Sequence, residues 1–294
     1  MKRPKAGAAT LFATFLLSSA AAHGGMNLPH IRQVVALPEG TVRAIQIHLS
    51  PATATGHDLP TSAETLLLSA LPQEFRDACG EMIEHWGTMA EGTAEWKVRL
   101  LHQERDRVWL ALRCRSRAPE YVNDYDERPA VLHLESRKLE LFPLASDSSD
   151  NSTLYHLEFA ETVPLEGALG AAFKVTEPAG NPCCDGPESR SGERWVVFAE
   201  TATGVAELLS VTTARDDSSH SDDPEIDSET IYRGQITMQR GPQETVREVV
   251  STFKEEEKEI SYEGGKAVPR VASQRSGTLR YRWNPDSNRF EEMK

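Results

Sequence analysis

Two histidine–glutamate pairs stand at the same short spacing in this sequence, "LHLE" at Leu132–Glu135 and "YHLE" at Tyr155–Glu158. Residues two apart on a strand share a face, so His133 would lie beside Glu135, and His156 beside Glu158. Paired in register, the two strands would gather two imidazoles and two carboxylates on one surface. Such a set can bind a divalent metal or transfer protons. Half-buried strands carry the same residue types on their wet faces. The neighbouring positions are ordinary strand residues that supply no supporting groups for a metal. The expectation is therefore a polar surface, with no metal and no cofactor.

The cysteines are the second chemical feature. There are four, at Cys79, Cys114, Cys183 and Cys184, and four allow three pairings. Cys79 falls on the apolar stripe of an expected helix and Cys114 on the apolar side of an expected strand, so both point toward one core. A bridge between them closes a loop of about 36 residues, worth roughly 3.8 kcal/mol in the chain-entropy model. Cys183 and Cys184 are then left for each other. Their Cα atoms are about 3.8 Å apart across a trans peptide, which makes a vicinal bridge strained. Asn-Pro before the pair and Asp-Gly after it, in "NPCCDGP", supply turn chemistry for such a bridge. The alternatives send the pair separately to Cys79 and Cys114. No Cys-x-x-Cys spacing or neighbouring histidine supports a redox or metal role, so a rigid turn fits better.

The nucleophile elbow, the zinc-protease helix, the phosphate loop, the dinucleotide glycine fingerprint and the EF-hand loop are all absent from the sequence. Two acidic clusters could hold calcium if their carboxylates converged: Asn123, Asp124, Asp126 and Glu127 in "NDYDE", and the run from Asp216 to Glu229. Both read more simply as solvated loops. So does "SDSSDNST", in which Asn151 opens a glycosylation signal that matters only in a eukaryotic secretory pathway.

The elements that must position these groups are mostly strands. Alternating patterns run through "AEWKVRLL" and "VWLALRC", read as a hairpin with one side buried. They continue through "AVLHLES", "KLELFPL", "TLYHLEFAE", "AFKVTE", "RWVVFAETA", "VAELLSVTT" and "TIYRGQITMQ", and end at a hairpin around "NPDSN". "RWVVF" belongs in the middle of a sheet. "TVRAIQIHL" reads as a strand with Ile45, Ile47 and Leu49 on one face. Thr61 and Glu64 have capping-box spacing, and Phe75, Cys79, Met82, Ile83 and Trp86 recur at helical spacing up to Gly87. The stretch "ETVREVVSTFKEEEKEI" leans toward a helix. The fold class expected is mainly β, an antiparallel sandwich or open barrel with a helical segment at about residues 61–87.

Residues 1–22 have a basic start, an uncharged apolar stretch and small residues at Ala20 and Ala22. That pattern is an export signal cleaved after Ala22, which makes 23–294 a single exported β-rich domain, periplasmic or extracellular. The formal charge is −13, and Lys2, Arg3 and Lys5 would leave with the signal. A chain this acidic is repelled by phosphate backbones and anionic membranes, which excludes nucleic acid as a natural partner. No later stretch is long enough to insert in a membrane. The function expected is a non-enzymatic binding or envelope-associated module with a protein or glycan partner. The alternative is an extracytoplasmic hydrolase that uses surface carboxylates or a metal.

Overall fold

The computed structural model describes residues 34–49, 56–85, 94–116, 124–142, 156–177, 188–201, 204–220, 226–263 and 266–293. The expected export signal, Asn151, Asn123, and the expected turn at Cys183–Cys184 lie outside them. The chain is mainly β, built from two antiparallel sheets that do not close into a barrel, with three α-helices among the described residues.

The first sheet has six strands: β1 (Val34–Ala36), β2 (His57–Asp58), β3 (Ala94–Glu104), β4 (Arg107–Ser116), β5 (Asp124–His133) and β6 (Lys138–Leu141), in the order β1-β6-β5-β4-β3-β2. Helices α1 (Glu39–His48), α2 (Thr61–Ala70) and α3 (Gln73–His85) cover one of its faces. Val42, Ile45, Leu67 and Phe75 pack there against Val98, Leu110, Leu112 and Leu132. The Cys79–Cys114 disulfide joins α3 to β4, with Cα atoms 5.4 Å apart. None of the described helices is long and apolar enough to cross a membrane.

Two local expectations fail in this layer. "TVRAIQIHL" is helix, not strand: Val42 and Ile45, three apart, are buried while Ile47 is 73% exposed. Proline at position 38 fixes the turn into the helix, and its carbonyl accepts the Val42 N–H at 3.2 Å. Glu64 does not close a capping box either. Its carboxylate is buried against β3, where it accepts the Val98 N–H at 2.8 Å and pairs with Lys97 at 3.4 Å. It satisfies a strand donor just past the end of β2.

The β3–β4 hairpin forms as its alternation implies, but both its faces are buried. The polar "HQERDR" that joins the two patterns is mostly strand, and the turn itself is only Arg105 and Asp106, with Arg105 at φ 54°. The side facing away from the helices carries Leu101, Trp109 and Ala111, and these meet the second sheet at Phe173, Val196 and Phe198. A hairpin with one wet face becomes a central layer because a second sheet covers it.

That second sheet has eight strands in the order β14-β13-β12-β11-β10-β9-β8-β7. They are β7 (His156–Leu165), β8 (Ala168–Glu177), β9 (Glu188–Thr201), β10 (Gly204–His220), β11 (Ile226–Arg240), β12 (Val246–Glu263), β13 (Lys266–Asn284) and β14 (Arg289–Glu292). "RWVVF" lies mid-sheet, as its apolar run implies: Val196 and Phe198 face the first sheet, while Trp195 and Val197 join a second cluster with Val249, Trp283 and Phe290. The sheet therefore curls until β13 lies over the β7–β8 turn, where Trp283 Nε1 donates to the Glu166 carbonyl at 3.1 Å. At the closing hairpin, Asn284 Oδ1 accepts the Asp286 and Ser287 N–H groups.

β12 overturns the helical reading of "ETVREVVSTFKEEEKEI". It is an 18-residue strand paired along its length with β11 and β13. The Asp216–Glu229 run is not a free loop either, since β10 and β11 extend into it from both sides. Asp216 pairs with Arg233 of β11 at 2.5 Å and Glu229 with Lys258 of β12 at 3.1 Å, while Asp217 pairs with Arg215 on its own strand at 2.8 Å. Cross-strand cations turn acidic sequence into strand.

Candidate functional site

The two His–Glu pairs do not meet. His133 is the last residue of β5 and Glu135 sits in the following turn. His156 and Glu158 lie on β7, in the other sheet, so the in-register pairing imagined from the sequence does not occur. Each histidine instead finds carboxylates from elsewhere, at two junctions between the sheets.

The first junction contains His133. In the β5–β6 ladder Val131 is opposite Glu140, and in the β4–β5 ladder Arg107 is opposite His133. Val131 belongs to the inter-sheet core, so period-two geometry turns His133, Glu140 and Arg107 toward the second sheet as well. Glu200 follows Val196 and Phe198 on the facing side of β9. His133 Nε2 lies 3.2 Å from Glu200 Oε2 and 3.5 Å from Glu140 Oε1, and Arg107 Nε lies 2.9 Å from Glu200 Oε1. The His133, Glu140 and Glu200 side chains are each about 15% exposed. The Glu200 carboxylate beside it raises the His133 pKa above its usual value, against the opposing effect of burial. Burial, then the Glu200 charge, raises that of Glu140. Arg107 lies beside the Glu200 carboxylate and offsets its charge.

The second junction is built on Glu127, which the sequence places in a solvated acidic loop. It is instead 3% exposed on β5. Its carboxylate accepts Arg99 Nε at 3.2 Å and the Leu157 N–H of β7 at 2.7 Å, while Arg99 donates to the Leu157 carbonyl at 2.6 Å. The backbone of an edge strand is thus held by side chains of the other sheet. His156 Nδ1 lies 3.7 Å from Glu127 and Nε2 3.7 Å from Glu158, half exposed at the rim.

Nothing in the sequence reading singled out Glu140, Glu200 or Arg107. The one sign was a charge continuing an apolar strand face, as Glu200 continues Val196 and Phe198. Neither junction lines the open depression formed by Gln46, Arg105, Asp106, Leu134 and Glu135. Leu134 packs with the helix-side core, on the opposite face of the sheet from His133.

A third feature is a surface. β13 runs 19 residues, and β14 pairs only with Tyr281–Asn284. Among the described residues no strand pairs with the outer side of Lys266–Leu279. Residues 266–276 are all exposed. β13 carries Lys266, Arg270, Arg275, Arg280 and Arg282 and no acidic residue, in a chain of formal charge −13. Arg275 pairs with Glu255 and Arg280 with Glu248. Val268, Val271 and, on β12, Tyr262 are exposed apolar side chains at the same end.

No family model matches the chain, and no curated protein or solved structure matches it either.

Proposed function

We propose that this chain is an exported, non-enzymatic binding module that takes up an extended acidic segment of a protein partner along the open edge of β13. The observation that carries the reading is that exposed edge, whose charged residues Lys266, Arg270 and Arg275 are all basic in an acidic chain. An edge strand offers a row of unpaired N–H and C=O groups. A peptide added there gains backbone hydrogen bonds, and its alternate side chains meet the neighbouring surface. The three cations of the open stretch favour carboxylates on the incoming segment and oppose a second copy of β13. Export is read from the first 22 residues, and the Cys79–Cys114 bridge suits an oxidising compartment. A hydrolase would need its carboxylates in a cleft, whereas the His133 group lies between two sheets.

The Met293 N–H donates to the Arg280 carbonyl on the β14 side. By alternation the backbone groups of Gln274, Ser276 and Thr278 also point outward. Ser276→Pro removes one outward donor without touching the β12 ladder. Fluorescence anisotropy with a labelled peptide of alternating glutamate and valine should show saturable binding that weakens as salt rises. Ser276→Pro should weaken it at least tenfold. No binding, or equal binding by the folded variant, contradicts strand addition. So does binding of an acidic polysaccharide in place of the peptide.

A further inference from the structure

We propose that His133, Glu140 and Glu200 form a site for one divalent transition-metal ion of the zinc class, held between the two sheets. The site is independent of the β13 edge. One imidazole nitrogen and two carboxylates suit Zn²⁺ and its neighbours, whereas Ca²⁺ and Mg²⁺ prefer shells made wholly of oxygen. The ligand atoms lie within 4.8 Å of one another. Tetrahedral coordination with bonds of about 2.0–2.1 Å places neighbouring ligand atoms about 3.4 Å apart. His133 Nε2 already stands 3.2 Å from Glu200 Oε2 and 3.5 Å from Glu140 Oε1. Small side-chain shifts would then close the shell, with water in the fourth position.

A second observation points the same way. His133 Nε2, the imidazole atom nearest both carboxylates, is buried and makes no well-formed hydrogen bond, and neither does Glu140 Oε2. Buried polar atoms are rarely left in that state, and a cation bound among the three side chains would satisfy them. Arg107, at 2.9 Å from Glu200 Oε1, holds that carboxylate with Oε2 toward His133. It acts as a positioning residue, and its charge limits affinity. The ligands come from β5 and β6 on one sheet and β9 on the other. An ion here would clamp the sandwich, so binding and folding stability must be linked.

The test uses the full chain without a histidine tag, stripped of metal by chelation and titrated calorimetrically with ZnCl₂. One equivalent should bind with micromolar or tighter affinity. Saturation at about a hundred times the Kd should raise the Tm by about 5 °C. MgCl₂ at the same concentration should do neither. Glu140→Gln and Glu200→Gln, which keep side-chain shape, should each weaken binding at least tenfold, and His133→Ala should abolish it. Absence of saturable 1:1 binding to the wild-type chain overturns the site, whatever the variants do. Equal affinity in the glutamine variants also overturns it, because the ion would then sit on other residues.

Discussion

Glu127 shows how far a side chain can lie from its sequence neighbourhood. Within "NDYDE" it reads as one acid among several in a wet loop. In the fold it is buried and answers both Arg99 and the backbone of β7. Removing it leaves the buried Arg99 guanidinium without its counter-charge, and breaking such a pair costs about 3–5 kcal/mol. Urea unfolding should show Glu127→Ala destabilised by that amount, with the Arg99→Met/Glu127→Leu double variant losing less than the single. Equal losses would mean that the pair does not weld the sheets. His102 offers a residue-scale test of pH dependence. Its ring stacks on Phe159 with centroids 3.7 Å apart, and burial lowers its pKa, with Glu104 opposing. The unfolded chain then binds the proton more readily, so this residue's stabilisation is present above the ordinary pKa of about 6.5 and is lost as pH falls through the folded value. His133, with its pKa raised, contributes in the opposite sense. His102→Phe keeps the stack and removes the titration. Its Tm should fall less than the wild-type Tm between pH 7.5 and 5. Parallel profiles would place the effect elsewhere.

At the scale of elements, alternation located most of the strands, and the bridge between Cys79 and Cys114 followed from two core-facing positions. Where period and residue type disagreed, packing decided. Val42 and Ile45 are β-branched, yet they form a helix because Pro38 starts one and the first sheet covers one stripe. "TVREVVSTF" carries a helical stripe of valines, yet β11 and β13 flank it and their ladders make it a strand. Neither neighbour can be read from the segment itself. The long strands also depend on a detail of fit. Phe253 on β12 lies opposite Gly234 and Gly277, stacks with Tyr232 at 5.4 Å, and occupies the space where a side chain on Gly277 would be. A Cβ there would stand 2.8 Å from the ring. Gly277→Val should displace Phe253 and cost about 1–3 kcal/mol, measurable by thermal unfolding. A neutral result would show that the ring moves aside without loss.

Across the whole molecule, the two sheets meet over an apolar interface closed at either end by polar side chains, the His133 group at one and Glu127 at the other. Strand count and patterning made the sandwich legible in advance. The junctions were not, because each joins residues far apart in the chain and depends on which sheet a strand enters. The edge of β13 is likewise visible only once strand order is known: Lys266, Arg270 and Arg275 lie along the stretch that β14 leaves uncovered at the end of an eight-stranded sheet. The central claim is that an acidic extended segment pairs with that edge. Residue-resolved amide hydrogen exchange on the full chain, with and without the alternating glutamate–valine peptide at saturation, tests it most directly. The amides of Gln274, Ser276 and Thr278 should exchange at least tenfold more slowly with peptide bound, while those of the β3–β4 hairpin stay unchanged. Unaltered exchange along 266–279 with the peptide bound would contradict the claim.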